Sequence, residues 1–227
     1  RLQADNTLRG ATIAALGDLH TARGKNRLDA SDAYCMPGRV VWSPEITPVS
    51  WPTHETQQHW LRQGVTTLLG KVDLTASDVQ WQRIADALRY PPGSPLLMNL
   101  GWIAAADAWT DISLARLATA APRGVVAAEG RQPTSDVEAL LDCWRIERVA
   151  EDAPADGDRF VHVTLPGRAG VALGAVADLV IVNRPPAGQQ VAAINARDLR
   201  QVIVGGTVVL DRGQFFDAAP GMLLSRG

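Results

Sequence analysis

Strand and helix signals alternate along residues 39–165, and that alternation constrains the fold more than any other feature of the chain. Thr53 can cap a helix from His54 to Gln63 that stops at Gly64. The β-branched, apolar run Val65–Leu69 follows as a buried strand. Ser77 caps a second helix through Arg89, in which Val79, Trp81, Ile84, Ala85 and Leu88 recur at three and four and form one apolar stripe. Beyond Pro91, Pro92 and Pro95, Leu96–Leu100 reads as a strand, Asp111–Ala120 as a helix and Gly124–Ala128 as a strand. Ser135 and Glu138 have capping-box spacing and open a helix to about Glu151. A polar loop, Asp152–Asp158, and the strand Phe160–Leu165 follow. Strand–helix–strand units of this length predict right-handed parallel βαβ packing.

Both ends of the chain read differently. Residues 1–38 are turn-rich and strand-like, with a half-alternating stretch at Leu8–Ile13 and a closing turn at Pro37-Gly38. Near the other end, Ala177–Asn183 is a strand. Val202–Val204 and Thr207–Leu210 form a hairpin across Gly205-Gly206, which supplies the positive φ angles of a two-residue turn. Asp211-Arg212-Gly213 is a further tight turn. The two ends are expected to pair as one composite β-sandwich, residues 1–38 plus 168–227, flanking an α/β domain at 39–167.

With 46% hydrophobic and 20% charged residues among 227, the chain has enough apolar side chains for a sizeable core, and wholesale disorder is ruled out. A net charge of −2 leaves no basic stripe for nucleic acid and no polybasic surface for anionic lipid. The apolar runs are strand-length, so no membrane span is expected. Cys35 and Cys143 form no CxxC pair, which argues against a disulfide scaffold or a structural zinc site. The expected setting is the cytoplasm.

Four segments carry a resemblance. Asp29–Gly38 resembles the "DA-x-G-x-x-x-x-PG" segment that ends the N-terminal β-piece of metal-dependent amidohydrolases, and Gly64-Val65-Thr66-Thr67 looks like their "GVTT" strand. Gly174–Ile181 looks like "G-x-x-ADLVI", and Val202–Val209 resembles their closing "V-x-x-V-x-x-G-x-x-V" strands. The chain is most similar to the dihydroorotase, cyclic amidase and N-acyl-amino-acid deacylase branch of that superfamily. The resemblance implies a β-sandwich built from both termini and a (β/α)₈ barrel between them. It also implies zinc at the top of the barrel, held by an H-x-H pair, a bridging Lys or Glu, two further His and an Asp, so that a metal-bound water becomes the nucleophile.

The sequence departs from that pattern. Ser43 and Glu45 stand where the two histidines of the H-x-H pair should be. Lys71 follows the GVTT strand, too early for the bridging lysine. His20, His54, His59 and His162 match no metal position of the family. Only about 140 residues separate Arg39 from Ala177, whereas a complete barrel takes about 250. The expected fold is therefore α/β: an incomplete, barrel-like parallel sheet of four or five βα units with a small β-sandwich domain from both chain termini.

His54 and His59 are five apart and project differently from one helix, unlike the four-apart pair that grips zinc. His162 reads as a packed strand residue and Cys35 as a small buried hydrophobe. The candidate pocket residues are Glu45, which could replace a histidine, and Asp73, Asn99 and Glu129, placed just past strand C-termini where α/β sites are built. Asp, Asn and Glu at such junctions commonly serve as helix caps and loop-solvating residues, and that is the favoured reading of the last three. No catalytic residue, metal ligand or bound cofactor is expected.

The favoured reading is an amidohydrolase-like protein acting without hydrolysis, as a scaffold, subunit or binding protein. A second is a metal-dependent hydrolase of non-peptide C–N amide bonds, its rearranged site drawn from Glu45, His54, Asp73 and Glu129 or completed by a partner. A third is a metal-free binder of a small molecule in a cleft lined by Trp42, Trp51 and Trp102. Four or five parallel strands cannot close into a barrel, so their edges and one apolar face would need cover. The expected remedy is a homodimer, or a complex with a related full-length chain, meeting at Trp42–Trp51 and Trp102–Trp109.

Overall fold

A single residue, Gly38, separates two sheets of opposite character. The computed structural model describes residues 2–7, 10–16, 30, 32–93, 95–130, 134–148, 159–160, 170–172, 174–184 and 194–224. The elements are β1 (Leu2–Thr7), β2 (Gly10–Leu16), β3 (Tyr34–Pro37), β4 (Arg39–Trp42), α1 (His54–Leu61), β5 (Val65–Asp73), α2 (Asp78–Arg89), β6 (Asn99–Ala106), α3 (Asp111–Ala120), β7 (Val125–Gly130), α4 (Ser135–Cys143), β8 (Glu147–Arg148), β9 (Arg159–Phe160), β10 (Leu179–Val182), β11 (Leu199–Val204), β12 (Thr207–Asp211) and β13 (Gln214–Phe215). Before Gly38, β3 pairs antiparallel with β10 in a sheet ordered β13-β12-β11-β10-β3. After it, β4 enters a sheet ordered β8-β7-β6-β5-β4-β9, in which β4 to β8 are parallel. A side chain at residue 38 would collide with Thr66 on β5.

The protein is thus mixed α/β, with a curled parallel half-barrel and an antiparallel sheet. The strand expected at Phe160–Leu165 is described only at Arg159–Phe160, and it pairs antiparallel with β4 instead of adding a parallel strand. His162 and His20 lie outside the described residues.

Three of the four helices, α1, α2 and α3, form where caps and stripes predicted them. Thr53 caps α1, and its Oγ1 accepts from the Thr56 amide. Gly64 then turns the chain at φ +77°, where its missing Cβ also leaves room for Ile194. Ser77 and Gln80 close a full capping box on α2. On α4 the cap is Thr134 rather than Ser135, and no side chain completes a capping bond. That helix stops at Cys143, well short of Glu151. Arg145 adopts φ +53°, the Ile146 amide donates to Leu141 O and the Arg145 amide to Asp142 O. This is a Schellman ending with arginine in the place glycine normally takes.

Core packing follows strand alternation. One face of the half-barrel, with Leu68, Val72, Leu100, Trp102 and Ala104, packs with Leu61 of α1, Leu88 of α2, Leu117 of α3 and Leu141 of α4. The concave face carries Trp42, Leu69, Ile103 and Ala127, with Leu224 packed among them. Leu69, Ile103 and Ala127 are fully buried, so the apolar face expected to stand open is covered within one chain. Part of that cover is the C-terminal segment, whose Leu224 amide donates to Leu100 O at 2.7 Å. Its edge strands in the described residues, β8 and β9, are two residues each, and short edges offer little for a second sheet to pair with.

The antiparallel sheet turns Val180, Val182, Val202 and Val204 toward the main core. Its other face, Leu179, Ile181 and Ile203, clusters with Ile13 of β2. The Ile13 amide donates to Ala175 O at 2.7 Å. Within this sheet Gly205 and Gly206 take φ +52° and +77°, the turn their sequence predicts. Cys35 lies exposed on edge strand β3 rather than packed as a small hydrophobe.

Candidate functional site

In a parallel sheet the helix-bound loops leave from the strand C-termini, so polar groups there can converge without disturbing the core. The rim of this half-barrel starts at β4. The Ser43 amide donates to Leu69 O at 2.8 Å, and Ser43 is buried at 3% exposure. Lys71 N donates to Ile46 O at 2.7 Å, so the chain stays tied to β5 through residue 46. Glu45, in the turn between, is exposed.

Asp73 ends β5 and Glu129 lies near the end of β7, both half-buried. Ala105 pairs with Asp73 on one side and Glu129 on the other, which puts the three at one level of the rim. Strand alternation places Lys71 and Asp73 on the concave face with Leu69, and Glu129 there with Ala127. Asp73 is used locally: its Oδ1 accepts from the Thr75 amide at 2.8 Å and from Thr75 Oγ1 at 2.7 Å, holding the loop into α2.

Asn99 is at the other end of the sheet. The expected strand Leu96–Leu100 is in fact Asn99–Ala106, so Asn99 begins β6 instead of following it. The small residues Gly101 and Ala104–Ala106 have low strand propensity, and burial between two packed faces overrides it. Asn99 is 1% exposed; its Nδ2 donates to Asp178 Oδ2 at 3.0 Å and Thr66 O at 3.3 Å, and its Oδ1 accepts from Met222 N at 3.4 Å. Asp178, 7% exposed, accepts the Gly205 amide on Oδ1 at 2.8 Å, and its carbonyl accepts from Gly38 N at 2.8 Å. This polar clip ties both sheets and the C-terminal segment together. Nearby, burial pushes the Arg39 guanidinium below its usual pKa. Sequence reasoning missed Asp178 as a partner, although it lies inside the Ala-Asp-Leu-Val-Ile segment that drew notice for its resemblance.

The histidines on α1 serve their own helix. His54 Nε2 lies 3.0 Å from Gln58 Nε2, and His59 Nε2 lies 2.9 Å from Gln63 Nε2; both imidazoles are exposed. Among the described residues no group of three or more His, Cys, Asp or Glu side chains comes together. The zinc that the resemblance implies does not fit this rim: where its first two ligands would stand are a buried serine held by its backbone and an exposed glutamate, and a closed zinc site needs three or four donors.

Two of the three tryptophans expected at a cleft are buried in the core. Trp42 and Trp102 are 2% and 0% exposed, and Trp51 meets Trp102 edge-on at 5.8 Å. An actual cleft of about 540 Å³ opens between the first turns of α2 and α3, walled by Leu74, Ala76, Ala108 and Ile112. Arg116, 7% exposed, fixes its floor by donating to Leu74 O, Ala76 O and Asp78 Oδ1 at 2.8, 2.6 and 2.7 Å. Its guanidinium also lies over the Trp81 ring. The hydroxyls of Ser77 and Thr110 are engaged as helix caps. The described lining residues offer apolar walls but no imidazole or thiol to act as base or nucleophile. No helix of the described residues is long and apolar enough to cross a membrane. No protein-family model matches the chain, and no curated protein matches it.

Proposed function

We propose that the chain is an amidohydrolase-like protein that acts without hydrolysis, as a scaffold, subunit or binding protein. The observation that carries this reading is the end of β4, where the first metal ligands of such an enzyme would stand. Ser43 is buried there with its amide committed to β5, and Glu45 is exposed. The order of elements supports the resemblance: the Pro-Gly segment ends β3, the next residues open the first parallel strand, and the GVTT segment begins the second. The Ala-Asp-Leu-Val-Ile segment pairs back onto β3. In the same reading residues 1–38 and 168–227 make one β-sandwich domain beside the half-barrel at 39–167, supported by the β3–β10 pairing and the Ile13–Ala175 bond, save that the stretch Gly221–Leu224 packs on the half-barrel.

Metal analysis of protein purified without chelator tests the reading. The expected content is well below stoichiometric zinc, with no turnover of amides or cyclic imides on adding Zn²⁺, Mn²⁺ or Co²⁺. About one equivalent of tightly held metal, or activity that Glu45→Ala abolishes, would favour the hydrolase instead. Association with a second copy or a related full-length chain belongs to this proposal too. Trp42 and Trp102 are buried, so its contacts would come from exposed side chains such as Val79 and Ile112 at the first turns of α2 and α3. Light scattering at micromolar concentration decides it, and a monodisperse 24.3 kDa monomer removes it.

A further inference from the structure

The antiparallel sheet has two ends with different chemistry. At one, near Gly205-Gly206, lies the clip of Asn99 and Asp178. At the other, β10 runs out into Asn183, β11 begins, and β12 turns into β13 through Arg212-Gly213. A cleft of about 530 Å³ opens there, and its lining includes Asn183, Arg197, Arg200, Arg212 and Gly213. Three arginines therefore line one space on a chain whose net charge is −2. No carboxylate is among the described lining residues.

Arg212 also stands in a backbone conformation that an arginine does not choose. It has φ +46°, followed by Gly213 at +83°, which is the same two-residue geometry as Gly205 at +52° and Gly206 at +77° in the preceding hairpin. There the chain uses glycine, which takes positive φ without strain; here it places an L side chain, which is strained. The only other non-glycine positive φ angles among the described residues are at Asp32, a residue type that tolerates the region, and Arg145, which ends α4. For folding alone, glycine would serve better at 212. What arginine adds is a cationic side chain on a residue that lines the cleft, and strain retained where the fold does not need it points to a site.

We propose that this cleft binds a phosphorylated small molecule, with its phosphate held by Arg197 and Arg212 beside Arg200 and the side-chain carboxamide of Asn183. Guanidinium forks match phosphate oxygens two at a time, and clustered guanidiniums favour a dianion over a single carboxylate. The cleft has room for more than inorganic phosphate, which leaves space for the moiety that carries it. This inference does not depend on the function proposed above.

Calorimetric titration of the full chain with pyrophosphate at low salt, with citrate as the carboxylate control, tests it. The expected result is saturable one-site binding that is tighter for pyrophosphate and weakens as salt rises. Arg197→Gln and Arg212→Gly should each weaken it about tenfold or more, the loss of a charge-assisted pair. Arg212→Gly should at the same time raise the melting temperature, because it removes the strained φ. No saturation by about 10 mM, weaker than any useful site, would overturn the proposal. So would a pyrophosphate affinity unchanged in both variants, citrate binding as tightly, or a melting temperature that falls in Arg212→Gly, which would make the guanidinium structural.

Discussion

The half-barrel and the antiparallel sheet are built from similarly apolar strands but solve burial differently. In the half-barrel every described residue of β5 from Val65 to Gly70 is buried, because helices cover one face and the concave side is filled from within the chain. In the antiparallel sheet burial grades across the strands: β10 is wholly buried, β12 is only partly so, and edge strand β3 is mostly exposed. A parallel sheet with both faces covered leaves polar chemistry only its rims, and among the described residues the C-terminal rim brings together no group of three or more His, Cys, Asp or Glu. A sheet whose burial grades off can carry charged side chains at its ends, and the arginine cleft is there.

If that contrast is right, truncating a large side chain should cost far more in the half-barrel than at the antiparallel edge. Trp102 is fully buried in β6 and Tyr34 is 54% exposed in β3. Trp102→Ala should lose about 3–5 kcal/mol and Tyr34→Ala under about 1 kcal/mol. Urea midpoints at constant m-value measure both. Equal losses would break the comparison, since they would mean that the edge is as tightly packed as the centre.

The clip sharpens the same comparison by asking whether the two sheets melt together. Asn99→Ala leaves the buried Asp178 carboxylate without one donor and the Thr66 carbonyl without another. The expected cost is about 2–3 kcal/mol, typical of hydrogen bonds to a buried charge. Hydrogen exchange should then show β10 and β11 losing protection before β5 and β6. Uniform loss would say that the sheets are one cooperative unit held by apolar contacts alone.

Local chemistry was legible in the sequence; position along a strand was not. Ser77 with Gln80, Thr53 before α1 and Gly205-Gly206 act within four residues, so caps and turns could be read directly. The extent of β6 depends on what packs over Gly101 and Ala104–Ala106, which is tertiary, and a shift of a few residues carried Asn99 from one end of the sheet to the other. Of the candidate residues, Asp73 and Glu129 reach the concave rim, Glu45 is exposed in a turn, and Asn99 belongs to the clip. The clip joins residues 79 apart in sequence, so no local signal could have found it. The sheet face expected to stand open without a partner is covered for a related reason: helices are not its only cover, since Leu224 lies on the concave face.

Arg145 offers the smallest test and the one closest to that limit. The end of α4 escaped the sequence because a Schellman ending is normally announced by glycine, and arginine holds that place at φ +53°. The 6→1 and 5→2 bonds, Ile146 N to Leu141 O and Arg145 N to Asp142 O, remain intact when only the side chain changes. Arg145→Gly removes a left-handed strain of about 1–2 kcal/mol. It also restores backbone freedom to the unfolded chain, which costs about 0.5–1 kcal/mol. Set against both is the interaction that the Arg145 side chain itself makes, so the net should be a gain of at most about 1 kcal/mol, visible as a melting temperature raised by a few degrees. Because α4 covers the half-barrel and the Arg212 turn ends the antiparallel sheet, Arg145→Gly and Arg212→Gly test the same strain in the two regions. The backbone predicts a gain in both, and only the Arg212 variant should change anion binding. A loss of stability in Arg145→Gly would mean that its side chain holds the helix end in place, so that the strain is offset locally and glycine would be the poorer residue there.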